Sequence, residues 1–158
     1  MQHVAAVALG SNLDSAWGDR EATIREAVRR AGDLGRVVRV SSFYDTEPVG
    51  YTEQPRFLNG AMLLETELAP VELLRRLMGI ERAMGRDRSH AVEKGPRVID
   101  LDLLLYDDVV MESAELTLPH PAMQERRFVL EPLAEIAPGM RHPRLGVTVG
   151  ELLAHLKG

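Results

Sequence analysis

In the stretch GPRVIDLDLLLYDD, residues 95 to 108, two acids, Asp100 and Asp102, interrupt a run of Val, Ile and Leu. Read as a strand, residues two apart share a face, so the two carboxylates point the same way with Cα atoms about 7 Å apart. Like charges on a mostly apolar strand are costly unless something positive lies between them, and an all-oxygen pair suits a hard cation such as Mg²⁺. The alternative is a solvent-facing strand that tolerates acids or pairs them with nearby arginines.

A third acid has an unusual place. On a helical wheel for residues 70 to 84, Leu73, Leu74, Leu77, Ile80 and Met84 define an apolar arc, and Glu81 falls inside it. It is either a boundary Glu paired with an arginine or a partner of the acidic strand, as a direct metal ligand or behind one. Between that helix and that strand lie Arg86, Arg88, His90, Lys94 and Arg97, in a glycine-bounded polar loop. Cations beside a carboxylate pair fit a metal-bound polyphosphate, whose charge guanidinium groups and Mg²⁺ share. A solvated charged loop is the ordinary alternative. No Gly-Lys pair and no G-x-G-x-x-G occurs, so neither a P-loop nor a dinucleotide fingerprint is present. Phe57 and Asn59 share a strand face and offer an aromatic plane beside an amide, which suits a flat heteroaromatic ligand as well as it suits ordinary packing. His120, between Pro119 and Pro121, has a restrained backbone and is a phosphate contact or a structural histidine.

The elements that must position these residues follow from periodicity. Val4 to Leu9 reads as a strand closed by a turn at Gly10-Ser11-Asn12. Residues 17 to 34 repeat apolar positions at helical spacing. Val37 to Tyr44 is β-branched and aromatic, hence one strand, and a Pro- and Gly-containing loop, DTEPVGYTEQP, leads to a strand over Phe57 to Thr66. Pro70 suits the first turn of a helix running to about Met84. A strand over 98 to 106 follows, then an extended LTLPHPAM, a helix over QERRFVLEPLAEIAPG broken near Pro132, and a last helix whose start carries a capping box, Thr148 with Glu151. This order predicts an α+β domain with a largely antiparallel sheet covered by helices.

Length and composition bound the rest. At 158 residues with 45% hydrophobic and 27% charged residues, the chain is expected to form one globular domain spanning 1 to 158. No run approaches the roughly 20 apolar residues of a membrane span, and the start lacks the basic n-region of a signal peptide. A net charge of −5 argues against broad nucleic-acid binding. The absence of cysteine excludes disulfides and thiolate chemistry and fits a cytoplasmic protein.

The blocks LGSN, SSFYDTEPVG, QPRFLN, IERAMGR, GPRVIDLDLLLY and LTLPHPAM, in this order, resemble the 6-hydroxymethyl-7,8-dihydropterin pyrophosphokinase family of folate biosynthesis over nearly the whole chain. The resemblance implies a ferredoxin-like α/β sandwich that transfers pyrophosphate from ATP to the pterin and releases AMP. It implies two Mg²⁺ ions on Asp100 and Asp102, and Arg86 and Arg97 as catalytic arginines. ATP contacts would come from Glu81, Arg88, Arg97, Leu103, Thr117, His120 and Arg126. The pterin would be held by Asn59 and stacked between Phe57 and Phe128, with backbone contacts from Thr46 and Val49. Small-molecule substrates, no nucleic acid, no membrane and a monomer are expected. The chain departs from some members at Glu93-Lys94, Glu115 and Pro121, positions that bear on ATP binding. Rival readings of the same acids are a metal-dependent phosphohydrolase and a non-catalytic binding module.

Overall fold

The computed structural model of the chain describes residues 2–46, 56–85 and 98–156. Strand β1 (His3–Ser11) leads to helix α1 (Arg20–Ala31), then to strands β2 (Arg36–Val40), β3 (Tyr44–Thr46) and β4 (Phe57–Thr66). Helix α2 (Pro70–Ala83) and strand β5 (Asp100–Tyr106) complete the framework. The sheet has the order β2-β4-β1-β5, every pairing is antiparallel, and β3 continues beside β4 beyond the end of β2. Counting β2 and β3 as one interrupted strand gives the βαββαβ succession and strand order of a ferredoxin-like sandwich. After it come β6 (Met111–Glu112) and β7 (Thr117–Leu118), a 3-10 turn at Met123–Glu125, α3 (Arg127–Ile136), β8 (Arg141–His142), β9 (Val147–Thr148) and α4 (Val149–His155). No helix among the described residues is long and apolar enough to cross a membrane.

Strand alternation splits the core in two. Along β1, Ala5, Val7 and Leu9 face Ile24 and Ala27 of α1 with Leu73 and Leu77 of α2, whereas Ala6 and Ala8 face Leu130 and Leu133 of α3 with Leu152 of α4. The sheet is thus covered on both faces, as its apolar β1 and β4 require. Helix starts follow local chemistry. The Asp19 carboxylate accepts from the Ala22 N–H at 2.9 Å to cap α1, Pro70 occupies the first turn of α2, and Thr148 with Glu151 forms the expected capping box of α4.

Three expectations need correction. The residues of 37 to 44 form two strands. Between the Val40–Met62 and Tyr44–Asn59 pairs one side carries an extra residue, and the Ser41 hydroxyl accepts from the Ala61 N–H at 2.9 Å in place of a backbone carbonyl. Gly60 permits this break: a Cβ there would stand 2.7 Å from the Phe43 ring. The turn placed at Gly10 begins later, because β1 runs through Ser11 and Gly10 pairs on both sides. Helix α3 is continuous through Pro132, which removes the donor for the Phe128 carbonyl; Pro132 is itself buried, flanked by buried Val129, Leu130, Leu133 and Ile136, and tertiary packing outweighs the local penalty.

Candidate active site

The acids and the amide lie on one rung of the sheet. Gly10 of β1 pairs with Asn59 of β4 on one side and with Asp100 of β5 on the other. Two residues back, Ala8 pairs with Ala61 and with Asp102. Alternation puts Asn59, Gly10 and Asp100, with Phe57, Ala8 and Asp102, on the face that α3 and α4 cover further along. The middle strand contributes only a hydrogen and a methyl to these rungs. A Cβ at Gly10 would stand 3.3 Å from the Asn59 Oδ1 and 3.9 Å from the Asp100 Cβ. The missing side chain keeps open the space between amide and acid.

Asp100 and Asp102 are half-buried and share this face. A hard, all-oxygen pair beside open space fits Mg²⁺, which takes one or two carboxylates and completes its shell with water and phosphate oxygens. Glu81 reaches the strand from the helix. It is 2% exposed, and its Oε2 accepts the backbone N–H of Leu101, the residue between the two acids, at 2.8 Å. Since β5 has no strand neighbour beyond it among the described residues, the carboxylate occupies a ladder position that a further strand would otherwise fill. Glu81 therefore fixes the backbone from which Asp100 and Asp102 project.

On the amide side, Asn59 is 8% exposed and its Nδ2 donates to the Thr46 Oγ1. Thr46 is opposite Phe57 in the β3–β4 register, so Thr46, Phe57 and Asn59 form one cluster. Phe128 starts α3 on the same face, and the Arg126 guanidinium lies 5.7 Å from its ring centroid. Among the described residues the one ring-to-ring contact is His3 against Tyr106, so Phe57 and Phe128 are not closed on each other.

His120 is tied in by its backbone, its N–H donating to the Leu104 carbonyl at 2.9 Å, and its Nδ1 accepts from the Ala122 N–H at 3.2 Å. That acceptor role leaves the ring proton on Nε2. Burial first, then the Arg126 charge, pushes the imidazole below its ordinary range, while Asp100 opposes them. His120 is thus a neutral Nε2–H donor near both Arg126 and Asp100. Thr117 is half-buried on β7, and Leu103, 3% exposed, is a core residue of β5. Glu115 is engaged by α2: Arg75 donates Nε and Nη2 to its two oxygens at 2.7 and 2.9 Å, which holds the carboxyl below its usual range. Val49, Arg86, Arg88, His90, Glu93, Lys94 and Arg97 lie outside the described residues.

Sequence reasoning passed over two features. Gly10 appears there as a turn residue, and only pairing on both sides shows it as the floor of the site. Arg20, Asp45 and Arg56 form an ion cluster at the foot of β3, with the Asp45 Oδ1 accepting from Arg56 Nε at 3.1 Å and Oδ2 from Arg20 Nη2 at 3.2 Å. Their separation in the chain carries no local signal.

The family model for 7,8-dihydro-6-hydroxymethylpterin-pyrophosphokinase matches residues 6–138. The Bacillus subtilis 2-amino-4-hydroxy-6-hydroxymethyldihydropteridine pyrophosphokinase is 47% identical over 138 residues, covering 86% of this chain and 79% of that protein. Its Pseudomonas aeruginosa counterpart is 44% identical, covering 94% and 88%. The chain also matches the Schizosaccharomyces pombe folic acid synthesis protein fol1 at 44% identity, spanning 89% of this chain but only 19% of that longer protein. A crystal structure of Plasmodium falciparum HPPK-DHPS with pterin and p-hydroxybenzoate superposes with a TM-score of 0.76 over 98% of this chain and 43% of that one. At 15% identity that likeness supports the fold. The match over residues 6–138 and the near-full-length bacterial relatives place the chain in the 7,8-dihydro-6-hydroxymethylpterin-pyrophosphokinase family.

Proposed function

We propose that this chain, acting as one catalytic unit over residues 1 to 158, transfers the β,γ-pyrophosphoryl group of ATP to the hydroxymethyl oxygen of 6-hydroxymethyl-7,8-dihydropterin. The products are the pterin diphosphate and AMP, a step of folate biosynthesis. The observation that carries this reading is the rung Asn59–Gly10–Asp100, which sets a hydrogen-bonding amide and a half-buried carboxylate on either side of a floor without a side chain. A heteroaromatic ring held at Asn59 would direct a substituent across Gly10 toward the phosphate side.

Phosphoryl-type transfer asks little covalent chemistry of a protein; positioning and charge neutralisation dominate. Asp100 and Asp102 would hold two Mg²⁺ ions, whose bound charge offsets that of the phosphates and favours in-line attack on the β-phosphorus. The hydroxymethyl O–H gives up its proton to solvent, the new bond joins that oxygen to the β-phosphorus, and the bond to the α,β-bridging oxygen breaks, so AMP leaves with the bridging oxygen. Glu81 fixes the strand that carries the acids. His120, neutral and protonated on Nε2, donates to a phosphate oxygen, and Arg126 contributes charge beside it. Thr117 lines the nucleotide side, and Leu103, whose side chain is buried in the core with α1 and α2, would contribute only its backbone. Arg86, Arg88 and Arg97 share the developing phosphate charge. Thr46, Val49, Phe57, Asn59 and Phe128 hold the pterin, the two rings flanking its plane. The reading includes a cytoplasmic monomer that binds neither nucleic acid nor membrane.

The test is to incubate the purified chain with ATP and Mg²⁺, with and without the pterin, and to resolve the nucleotides. AMP that forms only with the pterin, together with a pyrophosphorylated pterin, is the expected result. ADP and phosphate without pterin dependence would instead make the chain a phosphohydrolase.

A further inference from the structure

Strand β3 is three residues long, an edge segment too short to hold its register by ladder bonds alone. It is fastened from both faces of the sheet. On the α3 face Tyr44 donates its hydroxyl to the Glu135 Oε1 at 2.7 Å, and Ser42 donates its N–H and Oγ to the Oε2 at 2.9 and 3.0 Å. On the α1 face lies the cluster built on Arg20. One of its guanidinium nitrogens donates to the Asp45 Oδ1 at 3.3 Å and to the Arg56 carbonyl at 2.8 Å, and the other to the Asp45 Oδ2 at 3.2 Å. Arg56 adds its own bonds, Nε to the Asp45 Oδ1 at 3.1 Å and Nη2 to the Asp45 carbonyl at 3.2 Å. Arg20 therefore grips a side chain of β3 and the backbone immediately before β4.

The next residue on each strand belongs to the amide cluster. Asp45 precedes Thr46, Arg56 precedes Phe57, and Thr46 stands opposite Phe57 while accepting from Asn59. We propose that Arg20 is a positioning residue for the pterin pocket. It acts through Asp45 and the Arg56 carbonyl to hold Thr46 in register with Phe57 and Asn59. The inference rests on the pterin reading given above. Arg20 approaches from the opposite face of the sheet, so it touches neither ligand. Exposed ion pairs add little to global stability, but a forked cation bonded to two strands at the end of their ladder resists local fraying. The planar fork is essential, since one lysine ammonium cannot meet three acceptors in this geometry. Arg20 first, and Arg56 next, hold the Asp45 carboxyl below its ordinary range, as expected of a carboxylate kept charged by both.

The experiment compares wild type with Arg20→Ala, Arg20→Lys and Asp45→Asn in the full chain. Calorimetry measures pterin binding in the presence of a non-hydrolysable ATP analogue, and ATP-analogue binding alone; kinetics give KM and kcat. Arg20→Ala is expected to raise the pterin Kd and KM about fivefold, with kcat and nucleotide Kd within about twofold, and Arg20→Lys to recover part of the loss. The melting temperature should move by no more than about 2 °C. Wild-type affinity for the pterin in Arg20→Ala, or equal losses for pterin and nucleotide, overturns the inference alone. A wild-type chain that does not bind the pterin overturns the functional reading and this inference with it.

Discussion

The two ends of the Asn59–Gly10–Asp100 rung are held in opposite ways. At the acidic end the fastening is dry: the Glu81 carboxylate, 2% exposed, bonds the N–H of Leu101, 3% exposed. At the amide end it is wet, through Arg20, Asp45 and Arg56 with side chains 29%, 50% and 51% exposed. The difference matches what each end must do. Two adjacent carboxylates repel each other, so their backbone gains from a fastening that salt does not screen. An amide that reads a neutral ring feels no such force, and surface bonds suffice to keep it in register.

The largest effect is expected at the acids themselves. Asp100→Asn or Asp102→Asn is expected to lower turnover at least about a thousandfold, because charge neutralisation on the phosphates is lost, while the fold survives. Single-turnover kinetics with calorimetric titration of the pterin would check this. A variant that keeps near-normal turnover removes the acids from the mechanism, and one that loses pterin affinity as heavily as turnover would show that the two ends are not separable.

Gly10→Ala tests the floor between the ends. The added methyl would meet the Asn59 Oδ1 at 3.3 Å, and the amide, already bonded to Thr46, has little room to yield. Overpacking of this kind costs about 1–3 kcal/mol, which at the binding site corresponds to a pterin Kd raised roughly five- to 150-fold. Nucleotide binding should change far less. Unchanged pterin affinity would mean that the ring does not lie at Asn59.

How much of this was legible beforehand depended on whether the signal was local. The β4 strand at Phe57–Thr66, the α2 helix from Pro70 and the capping box at Thr148 are written in spacing and propensity, and they stand where periodicity placed them. The acids share a face because a strand has period two. Glu81 drew notice as a carboxylate on an apolar arc, although its bond to Leu101 needed the folded neighbour. The rest depended on partners distant in sequence. The Ser41 hydroxyl replaces a ladder carbonyl only because Ala61 stands opposite, and Pro132 stays helical because its surroundings are buried. Arg20 finds Asp45 25 residues away and the Arg56 carbonyl 36 away, separations with no periodic meaning.

At Glu81 the expected effect is on stability and not on turnover, and it separates dry from wet fastening. Glu81→Ala leaves the buried Leu101 N–H without this acceptor, a loss of about 1–3 kcal/mol. Glu81→Gln keeps a neutral acceptor oxygen and should lose about half as much, because a charge-assisted bond is roughly twice as strong as a neutral one. Since the bond is buried, the stability deficit of Glu81→Ala should be the same in dilute buffer and in about 1 M salt, where the Debye length falls to about 3 Å. The increase in pterin Kd caused by Arg20→Ala should instead shrink with salt, as the wild-type cluster is itself screened. Denaturant titration of the Glu81 variants and calorimetry of the Arg20 pair at both salt concentrations decide the matter. A Glu81→Ala chain as stable as wild type would mean that water satisfies the Leu101 N–H and that the acidic end is as wet as the amide end.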